Sequence, residues 1–262
     1  MIDHEFKKKF GQNFISDKNL LNAICDDADV CEKDEVLEIG AGAGTLTSAI
    51  SQRAKKVISY EIDKDLESHL LSLDLKKVKF VFGDIMNFEL NEIEKDFEGS
   101  YKMIANLPYY ITTPIIFKFL NNSQKISSLT IMVQKEVAER IVAGVGGKEY
   151  GVLSIMTAFY GQAEINRIVS RKMFFPQPNV DSAVVTIKID REKYKNINGD
   201  EFYNFIKSAF SMRRKTLKNN LSHSGINKEK LSLISEEILS KRAENFNIDQ
   251  LLDIYLKIFK VF

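Results

Sequence analysis

Cysteine, histidine and long apolar runs are all scarce in this chain, and each scarcity removes a class of function. Two cysteines and three histidines occur in 262 residues. Cys25 and Cys31 stand with five residues between them and no second pair, which fits neither a zinc site nor a disulfide framework. Reduced structural thiols and no metal are therefore expected. No stretch approaches the roughly 18 apolar residues of a membrane span. The first residues, with Asp3, His4, Glu5 and then Lys7 to Lys9, lack the apolar core of a signal peptide. A soluble cytoplasmic protein with no membrane partner is the expectation. Internal repeats and low-complexity tracts are missing too. A net charge of only +1 excludes any argument from total charge, while 44% hydrophobic residues exclude a disordered chain and allow a real core.

The distribution of charge says more than its sum. Residues 190–262 hold 14 basic and 10 acidic side chains, against 23 and 26 in residues 1–189. No acid falls between Glu201 and Glu229, whereas Lys207, Arg213, Arg214, Lys215, Lys218 and Lys228 do. Such a face attracts polyanions whatever the net charge, although a merely solvated helix face has the same composition.

Strand and helix patterns alternate through most of the chain. Ser16 is placed to cap a helix with Leu20, Leu21, Ile24 and Ala28 on its apolar side. Strands are predicted at Val36–Ile39, Val57–Tyr60, Phe80–Phe82, Met103–Ala105 and Leu129–Val133, with helical stripes between them. That rhythm predicts a parallel sheet covered on both faces. Ile165 to Val169 and Ala183 to Ile189 read as a late strand pair joined through the Pro176 and Pro178 loop. Beyond about residue 196 the pattern is helical only, with Ile248, Leu251, Leu252, Tyr255 and Phe259 at helical spacing. The expected organisation is a catalytic domain over residues 1–192 and a small all-helical domain over residues 193–262.

The strongest local signal is Glu38-Ile39-Gly40-Ala41-Gly42-Ala43-Gly44-Thr45, where a strand hands over to a helix. Glycines let the backbone approach a ligand and adopt conformations other residues avoid. Glu61 ends the second strand, placed to accept hydrogen bonds from ribose hydroxyls, and Asp84 follows the third strand behind Gly83, placed to meet an adenine ring. A dinucleotide fingerprint needs a glycine at position 45, where this chain has threonine. The E-x-G-x-G-x-G arrangement instead resembles the first motif of class I methyltransferases, which bind S-adenosylmethionine. A structural turn explains one such glycine better than three of them with correctly spaced acids.

The fourth strand ends in Asn106-Leu107-Pro108-Tyr109, which resembles the N/D-P-P-Y/F signature of methyltransferases acting on amino groups. An adenine amine is a weak nucleophile because its lone pair is delocalised into the ring. The Asn106 side-chain oxygen and the Leu107 carbonyl can accept its two N–H bonds and favour a pyramidal nitrogen. Pro108 fixes its own φ and offers no competing N–H. Tyr109 can stack on the base, a contact worth roughly 1–3 kcal/mol. Alignment and hydrogen bonding then do most of the catalysis. A base inside a duplex could not reach such a pocket, so the target is single-stranded or flipped out. Phe174 and Phe175 are candidates for the other face of the base, with ordinary core aromatics as the alternative.

Together Phe10 to Phe14, Glu38 to Thr47, Asn106 to Tyr109 and Phe174 to Ser182 resemble the ribosomal RNA adenine dimethyltransferase family over nearly the whole chain. The resemblance implies a Rossmann-like class I methyltransferase fold and a cofactor bound by Asn13, Ile15, Gly40, Glu61, Asp84, Ile85 and Asn106. It implies that the product is S-adenosylhomocysteine, and that Asn106, Leu107, Pro108, Tyr109 and Phe174 form the catalytic set. Arg213, Arg214, Lys215 and Lys218 would hold rRNA phosphates. Ile15 stands where leucine is usual, and Tyr110 where asparagine is frequent. Tyr150 to Ser154 and Arg213 to Leu221 resemble the housekeeping branch, associated with kasugamycin sensitivity. That branch dimethylates two adjacent adenosines near the 3′ end of 16S rRNA in an immature 30S subunit, and a monomer is expected. The other branch, modifying 23S rRNA and giving macrolide resistance, usually has isoleucine at the position of Leu107. A non-catalytic RNA-binding factor on the same fold is a further alternative, disfavoured by the intact tetrapeptide.

Overall fold

A computed structural model describes residues 14–259, so Asn13 and the arm before it lie outside the described residues. The chain opens with β1 (Phe14–Ile15) and α1 (Lys18–Asp27), followed by β2 (Glu35–Ile39), α2 (Thr45–Arg53) and β3 (Lys56–Glu61). Then come α3 (Glu67–Ser72), β4 (Val78–Phe82), α4 (Leu90–Glu94), β5 (Tyr101–Asn106), α5 (Thr112–Asn122) and β6 (Ile126–Gln134). The middle of the chain forms α6 (Lys135–Ile141), α7 (Val152–Tyr160), β7 (Gly161–Val169), β8 (Phe174–Phe175) and β9 (Ser182–Ile189). Helices complete it: α8 (Gly199–Ala209), α9 (Leu217–His223), α10 (Lys228–Leu231), α11 (Glu236–Ser240) and α12 (Ile248–Phe259).

Seven strands make one sheet in the order β4-β3-β2-β5-β6-β9-β7. The pairs from β4 to β6 are parallel, and β9 runs antiparallel to β6. The chain steps outward from β2 through β3 to β4 and then returns to lay β5 on the other side of β2. That reversal opens a crevice at the carboxyl ends of β2 and β5, where ligands bind in open α/β sheets. The central strands read as near-continuous apolar runs because both faces are covered. Leu37, Val57, Ile58, Met103, Ile104, Leu129 and Ile131 are fully buried, each contributing roughly 1.5–3 kcal/mol. At the parallel-to-antiparallel junction Thr130 and Thr186 stand in register, their hydroxyls 3.0 Å apart.

One local expectation changes and another gains a detail. Asp17, not Ser16, caps α1, its carboxylate accepting from the Leu20 N–H at 2.9 Å. The late strands β7 and β9 are neighbours in the sheet, but the connection between them holds β8, which pairs antiparallel with β1. Asp27, at the end of α1, receives both arms of the Arg167 guanidinium at 2.5 and 2.6 Å, tying the helix to β7. Cys25 is buried and Cys31 exposed, both free. Burial pushes the Cys25 thiol up to about 11, so it behaves as a small hydrophobe.

Contacts divide the chain into two compact units. The first runs up to Ala138 and resumes at Ala163–Ile189; the second takes Glu139–Gln162 and everything from Asp190 onward. Residues 139–162 therefore cluster with the C-terminal helices, a grouping that a single sequence boundary near 192 does not contain. In the second unit Phe202, Phe205 and Tyr255 pack as an aromatic cluster, with Phe202 and Tyr255 edge to face at 5.6 Å. The Tyr255 hydroxyl donates to Glu201 at 2.7 Å. Of the apolar stripe on α12, Leu251, Leu252 and Tyr255 are buried and Phe259 is exposed. No described helix is long and apolar enough to cross a membrane.

Candidate active site

The strand order places the expected site residues in a row. Asp84 follows β4, Glu61 ends β3, Gly40 follows β2 and Asn106 ends β5. Adjacent strands lie about 4.8 Å apart, so the row spans roughly 14 Å, the reach of an elongated ligand lying across the strand ends. Backbone bonds tie the ends together: Gly40 N–H donates to the Tyr60 carbonyl and Gly83 N–H to the Glu61 carbonyl, each at 2.8 Å.

A cleft at the centre of the row is lined by the glycine loop, Phe14, Ile15, Leu21, Leu46, Glu61, Ile62 and Asn106 to Pro108. It therefore brings together Ile15, Gly40, Glu61, Asn106, Leu107 and Pro108 from the expected set. Asp84, Ile85, Tyr109 and Phe174 are outside this lining. Gly40 has φ of 86°, and a Cβ there would meet the Asn106 carbonyl oxygen at 3.4 Å. The loop thus passes directly over the end of β5. At Gly44, with φ of 76°, a Cβ would stand 2.3 Å from Leu73. That glycine lets α2 seat against the segment after α3.

Charge in the cleft is one-sided. Glu61 is its only ionisable lining residue among those described. Its carboxylate accepts from Gly42 N–H at 2.7 Å and Asp63 N–H at 2.8 Å, while burial raises its pKa above the ordinary carboxylate value. A carboxylate without a lining cation suits a positively charged sulfonium ligand with ribose hydroxyls, and opposes a pyrophosphate. The glycine cradle and this donor set fit S-adenosylmethionine. Beneath the loop, Glu38 is fully buried; one oxygen accepts from Thr47 at 2.6 Å and from Ser59, while the other has no partner among the described residues. Burial pushes its carboxyl up to about 7.

The tetrapeptide loop is braced on every side. Leu107 N–H donates to the Met132 carbonyl at 3.3 Å. The Pro108 carbonyl accepts from Ile111 N–H and the Thr112 hydroxyl, both at 3.2 Å, which turns the loop into α5. Tyr109 is half-buried, and its hydroxyl lies 2.9 Å from that of Ser182 on β9. Burial raises the Tyr109 pKa, so the phenol keeps its proton. Tyr110 is 60% exposed.

The two late phenylalanines separate. In the short β1–β8 pairing Ile15 faces Phe174 and Phe14 faces Phe175. Phe174 packs into the core cluster with Ile15, Ile104, Met132 and Val184, while Phe175 is 67% exposed. In the second unit Arg213, Arg214, Lys215 and Lys218 are all exposed. The Arg213 guanidinium donates to the Lys148 carbonyl, and Lys218 meets Glu236 at 2.8 Å. An exposed pair of that kind contributes only about 0–1 kcal/mol, so Lys218 exchanges readily to a phosphate.

Three supporting residues carry no role in the sequence reading. The Thr45 hydroxyl donates to the Ile15 carbonyl at 2.8 Å, pinning the strand that brings Ile15 to the cleft. Asn220 is buried and donates to the carbonyls of Ala209 and Met212 at 2.7 and 3.2 Å, holding the turn that presents Arg213. Ser182 anchors Tyr109. Thr45 and Ser182 act across 30 and 73 residues of chain and Asn220 across 11 and 8, and only the threonine left a trace, as the residue that breaks the dinucleotide pattern.

Comparison with known proteins gives one consistent result. The profile described as ribosomal RNA adenine dimethylase matches residues 3–260. A protein of Fusobacterium nucleatum named ribosomal RNA small subunit methyltransferase A is 42% identical, over 99% of both chains. Namesakes from Clostridioides difficile and Alkaliphilus metalliredigens are 40% and 44% identical over 94% of this chain, covering 88% and 85% of theirs. Among solved structures, a dimethyladenosine transferase from Plasmodium falciparum superposes with a TM-score of 0.77 at 27% identity, over 92% of this chain and 95% of that one. The 23S rRNA methyltransferase ErmE superposes with a TM-score of 0.69 at 22% identity, over 94% and 99%, which is a likeness of fold.

Proposed function

The chain belongs to the ribosomal RNA adenine dimethylase family, and from that premise we propose that it dimethylates N6 of two adjacent adenosines near the 3′ end of 16S rRNA. The substrate is the RNA within an immature 30S subunit, the protein acts as a monomer, and the reaction takes place in the cytoplasm. One observation carries the assignment of the chemistry. Asn106, Leu107 and Pro108 border the same cleft as Gly40 and Glu61, with the Gly40 backbone against the Asn106 carbonyl. The choice of small-subunit RNA is supported by the relatives' name.

When bound, S-adenosylmethionine supplies an electrophilic methyl group on sulfur and departs as S-adenosylhomocysteine. Glu61 accepts the ribose hydroxyls, Asp84 and Ile85 receive the adenine, and Asn13, Ile15, Gly40 and Asn106 complete the grip. The Asn106 side-chain oxygen and the Leu107 carbonyl hold the two N–H bonds of the target amine, and Pro108 adds no rival donor. Tyr109 supplies a stacking face whose tilt is set by Ser182. Phe174 or Phe175 supplies the other face. A strong base is not needed, since the alkylated amine is acidic enough to lose its proton. Arg213, Arg214, Lys215 and Lys218 neutralise phosphates of the RNA.

Mapping methylated adenines in 16S rRNA from cells with and without the protein tests this reading. Loss of both dimethyladenosines near the 3′ end is expected without it. Their persistence, or loss of a methyl on 23S rRNA instead, overturns the assignment.

A further inference from the structure

Lys118 lies on α5, nine residues after Tyr109, and carries no role assigned above. Its ammonium donates to three backbone carbonyls at once: Ile85 at 2.9 Å, Met86 at 3.3 Å and Phe88 at 2.5 Å. An ammonium has three donors, so this one is saturated. The carbonyls belong to a single short turn, Ile85–Asn87, and the residue after it. Carbonyls at the end of a helical turn need a donor. Here the donor arrives from the helix that begins directly after the Asn106–Tyr109 loop.

The front of the same turn is held by Asp84 itself. Its carboxylate accepts from Met86 N–H at 2.9 Å, and its carbonyl accepts from Asn87 N–H at 2.9 Å. Gly83 N–H, just before it, is pinned to the Glu61 carbonyl. Asp84 and Ile85 therefore stand between two clamps, the end of β3 on one side and Lys118 on the other. We propose that Lys118 is the positioning residue of the cofactor's adenine subsite, fixing the turn that carries Asp84 and Ile85 to the helix that carries the target loop. This rests on the reading of Asp84 and Ile85 as the adenine subsite. Lys118 is half-buried, and desolvation lowers its pKa while Glu89 and Asp84 act against that. Arginine is a poor replacement, because its planar fork does not converge on three carbonyls of one turn.

Lys125 provides a matched control. It donates to the carbonyls of Glu94 and Phe97 at 3.1 and 2.9 Å, another ammonium holding a chain turn. It precedes β6 and so sits at the end of the sheet opposite the cleft. The experiment measures S-adenosylmethionine affinity, thermal midpoint and the kcat-against-KM split for K118M, K125M and D84N in the full chain. K118M is expected to weaken cofactor binding by on the order of tenfold, with kcat at saturating cofactor within about twofold. K125M should lower the thermal midpoint comparably and leave cofactor affinity unchanged. Wild-type affinity in K118M with a weakened D84N overturns the proposal and leaves the adenine subsite standing. Wild-type affinity in D84N overturns the subsite reading and the proposal with it. Equal loss of affinity in K118M and K125M reduces Lys118 to general stability. Should K118M fail to fold, K118Q carries the same test.

Discussion

Asn106 sits where two requirements meet, since its backbone carbonyl lies under Gly40 and its side chain ends the strand beside the cleft. Removing the side chain leaves the backbone contact intact. Asn106→Ala should therefore cut turnover by roughly 10²-fold or more, the usual cost of losing a preorganised polar contact to a reacting group. RNA affinity should change little, and single-turnover kinetics with a separate RNA-binding titration will tell the two apart. The phenylalanine pair predicts a split. Phe174→Ala should lower stability by about 3–5 kcal/mol, as for other buried aromatics. Phe175→Ala should leave the melting temperature unchanged and, if its exposed ring is the stacking face, raise KM for RNA. A normal KM in that variant removes Phe175 from the second face of the base. The sequence identified both rings as candidates but could not separate them, because neighbours on a strand point to opposite faces and two adjacent phenylalanines carry no pattern that says which.

At the scale of elements, Glu38 is a junction. It is the penultimate residue of β2, accepts from Thr47 on α2 and Ser59 on β3, and lies directly beneath the glycine loop. Its pKa rises from 4.5 to about 7. In the unfolded chain the carboxyl ionises freely near pH 4.5, while in the folded protein it holds its proton until about pH 7. The folded state binds more protons across that window, so Glu38 costs stability progressively as pH rises through it. Glu38→Gln removes the titration. Its melting temperature relative to the wild type should climb between about pH 4.5 and 7 and level off above. A difference that stays flat with pH shows that Glu38 is ionised throughout, held by its two hydroxyl donors. The sequence marked Glu38 as part of a motif, yet its burial and its orphaned oxygen are properties of three packed elements.

At the scale of the whole molecule, the sheet order makes the site and the second unit makes the cationic surface. Neither depends on net charge, which is close to zero. Replacing Arg213, Arg214 and Lys215 together by alanine should weaken RNA binding and flatten its salt dependence. Each lost phosphate contact reduces the slope of log K against log salt by about 0.7 for single-stranded RNA. Titrations at several ionic strengths measure this directly, and an unchanged slope means the face is only solvated. The second unit also shows the limit of linear reading. Residues 139–162 lie between two stretches of the first unit in sequence, but their apolar side chains, Ile155, Met156 and Phe159 among them, are buried and cluster with the C-terminal helices. A shift in composition marks where a helical region starts. It does not mark a segment that leaves one unit and joins another.

Sequence by itself determined the alternating fold, the glycine loop, the tetrapeptide and the basic stretch, because each is a local pattern whose physics is local. Periodicity reports which face of an element is buried, and a glycine or proline reports its own backbone. Only the tertiary structure decided that β2 and β5 are neighbours, which is what turns two separate motifs into one cleft. It alone buried Phe174 while exposing Phe175, brought Lys118 to the carbonyls behind Asp84, and pinned Tyr109 to Ser182. Those contacts span from about 30 to 73 residues of chain. They depend on how the strands order and pack, and that ordering is a cooperative outcome of the whole core that no short stretch encodes.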